Sequence, residues 1–185
     1  FGGLTINNVA GVTMNQNETV NGALTMSGGE LTVSGTNVLT IGTGGTTSRT
    51  AGHVIGRLRK LWAAPSGAFL FPVGTTGAYS PVTTTVTAGS GELTVFANAA
   101  VAPLAPVPLG NATTLHRYWT LSGSGITSNI VFNYLTPDVF GNEAVYQVIR
   151  VTGGTMARTY ANGANVFVTP AANTFTVNGL TSYSD

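Results

Sequence analysis

Six carboxyl side chains, two imidazoles and no thiol are all that this chain offers for acid–base, nucleophilic or metal chemistry. The acids are Glu18, Glu30, Glu92, Asp138, Glu143 and Asp185, spread one per strand or turn. Glycoside cleavage needs two carboxyls about 5–10 Å apart, and only Asp138 and Glu143 lie close in sequence, in Pro137-Asp-Val-Phe-Gly-Asn-Glu143. With Asn142 they supply oxygens that a hard cation such as calcium would accept, since calcium takes six to eight oxygen ligands. The same residues also read as a polar inter-strand loop turning at Gly141-Asn142. Nucleophilic catalysis needs a Ser or Cys beside a positioned base. The only imidazoles, His53 and His116, fall in different strands, and no Gly-x-Ser-x-Gly elbow occurs. Phosphate cradles are missing too, because Gly42-Thr-Gly44-Gly45 precedes no helix. The residues therefore suggest a protein that is not an enzyme.

Aromatic faces are the other chemical resource, because they stack on sugar rings. Trp62 and Tyr79 are the candidate sugar platform, whereas Trp119 lies in an alternating strand and is expected in the core.

The elements that would hold these residues are strands. No window shows apolar residues at i, i+3, i+4 and i+7, so the chain reads as all-β. The first forty-odd residues hold six copies of one phrase: Leu4-Thr-Ile6, Val12-Thr-Met14, Glu18-Thr-Val20, Leu24-Thr-Met26, Leu31-Thr-Val33 and Leu39-Thr-Ile41. Each copy sets β-formers around a Thr, and such units bury their apolar face only by stacking. At ~20 residues per coil this makes about two coils of a solenoid, which need a cap or a continuation. Gly42–Ser48 shifts in composition and marks the expected junction, giving a β-solenoid-like segment over 1–48 and an antiparallel β-sandwich over 49–185.

In the second part, His53-Val-Ile-Gly-Arg-Leu-Arg-Lys-Leu-Trp62 alternates as a half-buried strand, with Arg57, Arg59 and Lys60 reading as its solvent side. Ser80–Thr87 and Gly91–Phe96 are expected to pair as a hairpin across Ala88-Gly-Ser-Gly91. Pro103, Pro106 and Pro108 mark an extended crossing. Further short strands at Leu115–Leu121, Asn129–Leu135, Tyr146–Val151, Asn165–Val168 and Thr174–Val177 indicate the sandwich.

Charge narrows the partners. Seven basic and six acidic residues give a net +1 without a clustered basic footprint, so nucleic acid is not expected. No apolar run approaches the ~20 residues of a membrane helix. Thirty Thr, 25 Gly and a single Lys leave a surface with little repulsion between copies. The opening on Phe1-Gly-Gly-Leu4 reads as a mature or excised segment.

Phe71-Pro-Val-Gly-Thr-Thr-Gly-Ala-Tyr-Ser-Pro-Val82, Arg117-Tyr-Trp-Thr-Leu121 and Phe175-Thr-Val-Asn-Gly-Leu-Thr-Ser-Tyr-Ser184 follow the Leu-Thr-Ile repeats in that order. Together they resemble a β-rich module of large secreted or surface-displayed bacterial adhesin-like proteins. The resemblance implies an architecture and a bacterial, extracellular or cell-surface location, with no ligand attached. In such modules the strand near Tyr183 continues, whereas this chain stops at Asp185.

The expectation is a structural protein, a self-associating subunit of a fibre, sheath or adhesin stalk. Its partners are copies of itself or adjacent β modules, and the repeat segment lacks the Lys and Pro that guard strand edges. Phe1, Leu4, Ile6, Phe175, Val177 and Tyr183 are the expected subunit contacts. The alternative is a carbohydrate-binding module of a larger secreted protein, with polysaccharide as the ligand.

Overall fold

The computed structural model describes residues 1–103, 112–153, 155–160 and 163–183, without the side chains of 156–160. Pro106, Pro108 and Asp185 of the sequence reading lie outside the described residues. Every phrase of the repeat becomes one side of a three-sided coil. The first coil is β1 (Leu4–Asn7), β2 (Val12–Met14) and β3 (Glu18–Val20), and the second is β4 (Ala23–Gly28), β5 (Glu30–Val33) and β6 (Val38–Ile41). Pairing is parallel and in phrase register, with Leu4 beside Leu24, Leu31 beside Val12 and Leu39 beside Glu18. The central Thr of each phrase faces outward, while Leu24, Met26, Leu31, Leu39 and Ile41 fill the interior at 2% exposure or less. Burying each such side chain contributes about 1.5–3 kcal/mol.

Stacking does not end at Ser48. A third coil, β7 (Thr46–Arg49), β8 (His53–Ile55) and β9 (Arg57–Trp62), pairs in parallel with the second without carrying the phrase. The Gly-rich stretch expected to be a junction is a corner between β6 and β7. At another corner Asn8, Gly29 and Gly52 lie one above the next. Gly29 and Gly52 have φ of +73° and +71°, and a Cβ on either would lie 1.7 Å from the carbonyl oxygen of the residue below. Only glycine allows coils to approach that closely there.

The coil then opens into antiparallel structure. β10 (Phe69–Phe71), β11 (Val73–Thr75) and β12 (Ala78–Tyr79) are short, and β11 continues the parallel stack on β8. The expected hairpin does not form. Its two halves are one bent strand, β13 (Val82–Asn98), paired along its length with β14 (Tyr118–Asn133). Ala88-Gly-Ser-Gly91 supplies register shifts instead of a reversal, and positive φ at Gly89 and Gly125 lets the two backbones bend together. A two-stranded pair, β15 (Val148–Thr152) with β16 (Thr155–Tyr160), precedes β17 (Val166–Thr169) and β18 (Thr174–Leu180).

One mixed sheet links both halves, in the order β17-β18-β14-β13-β9-β6-β3, parallel from β9 to β3 and antiparallel elsewhere. The fold is all-β, with solenoid-like coils and mixed sheets. The buried side chains of both halves form one continuous core.

Candidate functional site

The sequence candidates separate in space. Trp62 is 5% exposed and packs against Phe69 and Phe71 with ring centroids 6.0 and 6.2 Å away, so it closes the core and offers no face to a sugar. Its position follows from the alternation of β9, whose buried side carries Leu58, Lys60 and Trp62. Tyr79 is half-buried, with the Arg49 guanidinium carbon 3.6 Å from its ring centroid. Burial pushes its hydroxyl pKa up, and Arg49 opposes that. Trp62 and Tyr79 therefore do not form a shared platform.

Asp138, Asn142 and Glu143 are likewise drawn to separate partners. Both Asp138 carboxylate oxygens accept from Arg117, and Asn142 accepts from the Ala144 amide to open a short 3-10 turn. Among the described residues no three His, Cys, Asp or Glu side chains assemble as a metal site. His53 and His116 are also apart: His53 Nε2 lies 2.8 Å from the Thr75 carbonyl oxygen, and His116 stacks on Phe140 at 3.8 Å.

Of the expected subunit contacts, Ile6 and Val177 are buried in the core, and Phe175 stacks on Phe132 with centroids 4.5 Å apart. Tyr183 lies 2.8 Å from Ser128 Oγ through its hydroxyl. Leu4 is half-buried, and Phe1 is 57% exposed. The C-terminal members are therefore internal packing residues. β18 alternation places Phe175 and Val177 on the sheet face that Phe132 and Ile130 occupy on β14.

Two buried cations are sites that the charge reading missed. Lys60 continues the inward column Val20–Ile41 and is 3% exposed, not solvent-facing. Its Nζ donates to the carbonyls of Gly42, Thr43 and Gly45 at 2.6, 2.9 and 2.8 Å. Burial lowers its pKa. Arg117, 4% exposed, pairs with Asp138 and donates to Ser80 Oγ at 3.0 Å, while Trp119 Nε1 donates to the Ser80 carbonyl at 3.2 Å. Residues 117, 119 and 121 share a strand face, and Trp119 was expected in the core, so the alternation held the signal for Arg117.

The concave site lies above that cluster. β14 and β18 form its floor with Trp119, Phe132 and Phe175, and β15 stands opposite with Val148 and Arg150. The cavity encloses about 660 Å³ and is lined mainly by apolar side chains. Tyr134, 3% exposed, also lines it, and burial followed by the neighbouring Glu143 carboxylate pushes its pKa well above the usual tyrosine value. Such a space suits binding of an apolar body. Comparison with protein-family models, curated proteins and solved structures returned no match.

Proposed function

We propose that this chain is a non-enzymatic structural module of the bacterial cell surface, self-associating into an extracellular fibre, sheath or adhesin stalk. The observation that supports this is the outer edge of β3. On one side β3 pairs with β6; on the other Phe1 lies along it, its amine donating to the Thr19 carbonyl at 2.5 Å and its carbonyl accepting from the Asn21 amide at 2.8 Å. One residue thus already lies along β3 as an added strand would. Val9, Val12 and Phe1 add exposed apolar surface to the same coil at 92%, 37% and 57%.

Among the described residues the long mixed sheet ends at β3 on one side and at β17 on the other. Pairing the β3 edge of one copy with the β17 edge of the next is a heterologous contact, which generates an open filament and not a closed dimer. In this reading the C-terminal half is an antiparallel sandwich, with β15–β16 as the second layer over β14 and β18. Electron microscopy and sedimentation of the purified chain test the proposal. Ordered polymers that are lost in Thr19→Lys on β3 and in Phe167→Lys on β17 support it, because an edge charge blocks strand addition. A wild-type chain that remains a dispersed monomer at high concentration would sink it.

A further inference from the structure

We infer that the assembly edge carries an acid switch: Glu18 on β3 enters the contact protonated, so strand addition there is strong in acid and weakens as pH rises. This rests on the reading of β3 as the edge that takes β17 of the next copy. In β3, Thr19 faces outward and Val20 is fully buried, so Glu18 shares the inward side with Val20. It stands at the end of the column Glu18, Leu39, Leu58 and Val95, whose other members are 0% exposed. A position that strands flanked on both sides fill with Leu thus holds a carboxylate at the open edge.

The hydrogen bonds of the edge say which strand fits it. Phe1 donates to Thr19 and accepts from Asn21, the residues on either side of Val20, which is the pattern of a parallel strand. β17 has the matching sense. Four antiparallel pairings and two parallel ones lie between it and β3, so the two strands run the same way. On β17, Val166 and Val168 occupy the core side, beside Val177 and Phe175. Setting Val168 beside Val20, in the place of Phe1, sets Val166 beside Glu18. Advancing by two residues would bring Pro170 beside Val20, without the N–H that Phe1 gives to Thr19.

No cation meets the carboxylate in that contact. Among the described residues no Lys, Arg, His or amine nitrogen lies within 4.0 Å of a Glu18 oxygen, and its Oε1 accepts from the Gln16 side-chain amide. The inward residues of β1, β2 and β6 are apolar, Lys60 is bound to the β6–β7 corner, and Arg57 and Arg59 lie on the outer face of β9. The Phe1 amine is held by the Thr19 carbonyl. In the next copy β17 carries no charge, and Arg150 on the neighbouring β15 donates to Ser182 Oγ at 2.6 Å. Taking an ionised carboxylate out of water without a cation is costly, and protonation removes that cost. The neutral acid still accepts from Gln16 through its carbonyl oxygen.

Sedimentation of the wild type, Glu18→Gln and Glu18→Leu between pH of about 4.5 and about 7.5, above the ordinary glutamate value of about 4.3, tests the switch. A contact that takes up one proton weakens by up to about tenfold per unit of pH. The wild-type critical concentration is therefore expected to rise by about tenfold or more across that span. Both variants should assemble equally at every pH, and at the alkaline end at lower concentration than the wild type. Glu18→Leu repeats the residue of the next two coils, so a neutral variant remains should Glu18→Gln fold poorly. Polymers of the wild type whose critical concentration does not change with pH, or a folded Glu18→Gln chain that keeps the wild-type dependence, overturn the switch and leave the edge contact standing. Absence of polymer from all three chains at every pH overturns both.

Discussion

Arg117 and Asp138 meet through two hydrogen bonds, Nε to Oδ2 at 2.5 Å and Nη2 to Oδ1 at 3.1 Å, with 2% and 14% of their side chains exposed. The pair ties the start of β14 to the 3-10 turn at Thr136–Asp138, and through Ser80 to the end of the coils. Breaking a buried pair leaves one charge unbalanced. Arg117→Met and Asp138→Asn are each expected to destabilise by about 3–5 kcal/mol, and the double variant by less than their sum. Chemical denaturation of the four proteins in the cycle measures this.

Lys60 holds three carbonyls of the β6–β7 corner. Lys60→Met fills the same column with a matching apolar chain but takes the ammonium donor from the Thr43 and Gly45 carbonyls, while the Gly42 carbonyl keeps the Gly45 amide at 2.9 Å. A loss of about 1–3 kcal/mol is expected, read as a lower denaturation midpoint. A neutral or stabilising outcome would show that the corner carbonyls find water instead.

Gly29→Ala is expected to be far more damaging than Gly44→Ala. A Cβ at Gly29 meets the Asn8 oxygen at 1.7 Å and its φ is +73°, whereas a Cβ at Gly44 meets nothing within 4 Å. The first change separates two coils and costs more than about 1 kcal/mol, and the second stays near ±0.5 kcal/mol. Paired thermal melts decide it.

Alkaline pH should unfold the chain through its tyrosines. Tyr79, Tyr134 and Tyr183 all have raised pKa values, with burial as the leading cause. Such groups stabilise fully below the unfolded-state value of about 10, and that contribution is lost as pH rises through the folded-state value. Lys60 opposes this: its pKa is lowered, so its burial costs less as pH approaches the unfolded lysine value. With three tyrosines against one lysine, the melting temperature is expected to fall above pH of about 10. Tyr134→Phe should flatten that fall, with tyrosinate absorbance following the titration.

The all-β class and the stacking of the six phrases were legible because a strand's alternation and a coil's need for neighbours are local properties. The third coil was not legible. Its strands carry His53, Arg57, Arg59 and Lys60 where earlier coils carry the phrase, so the continuation rests on backbone pairing that composition does not record. The same locality misplaced Ala88-Gly-Ser-Gly91, whose glycines suit a turn and a bulge equally well. Trp62 and Lys60 were misread because strand parity alone does not say which side faces the core. The cavity was the least legible feature, since Trp119, Phe175 and Arg150 meet only after β14, β18 and β15 have assembled.

The mixed sheet also orders events in time. A coil strand gains little until a neighbour exists, and β9 is the coil strand hydrogen-bonded directly to the long β13–β14 pair. β6 and then β3 add outward from that template, so each depends on the one before it. Loosening should run the other way. Native-state hydrogen exchange is expected to show β3 amides opening first, β6 next and β9 last, near the global unfolding limit.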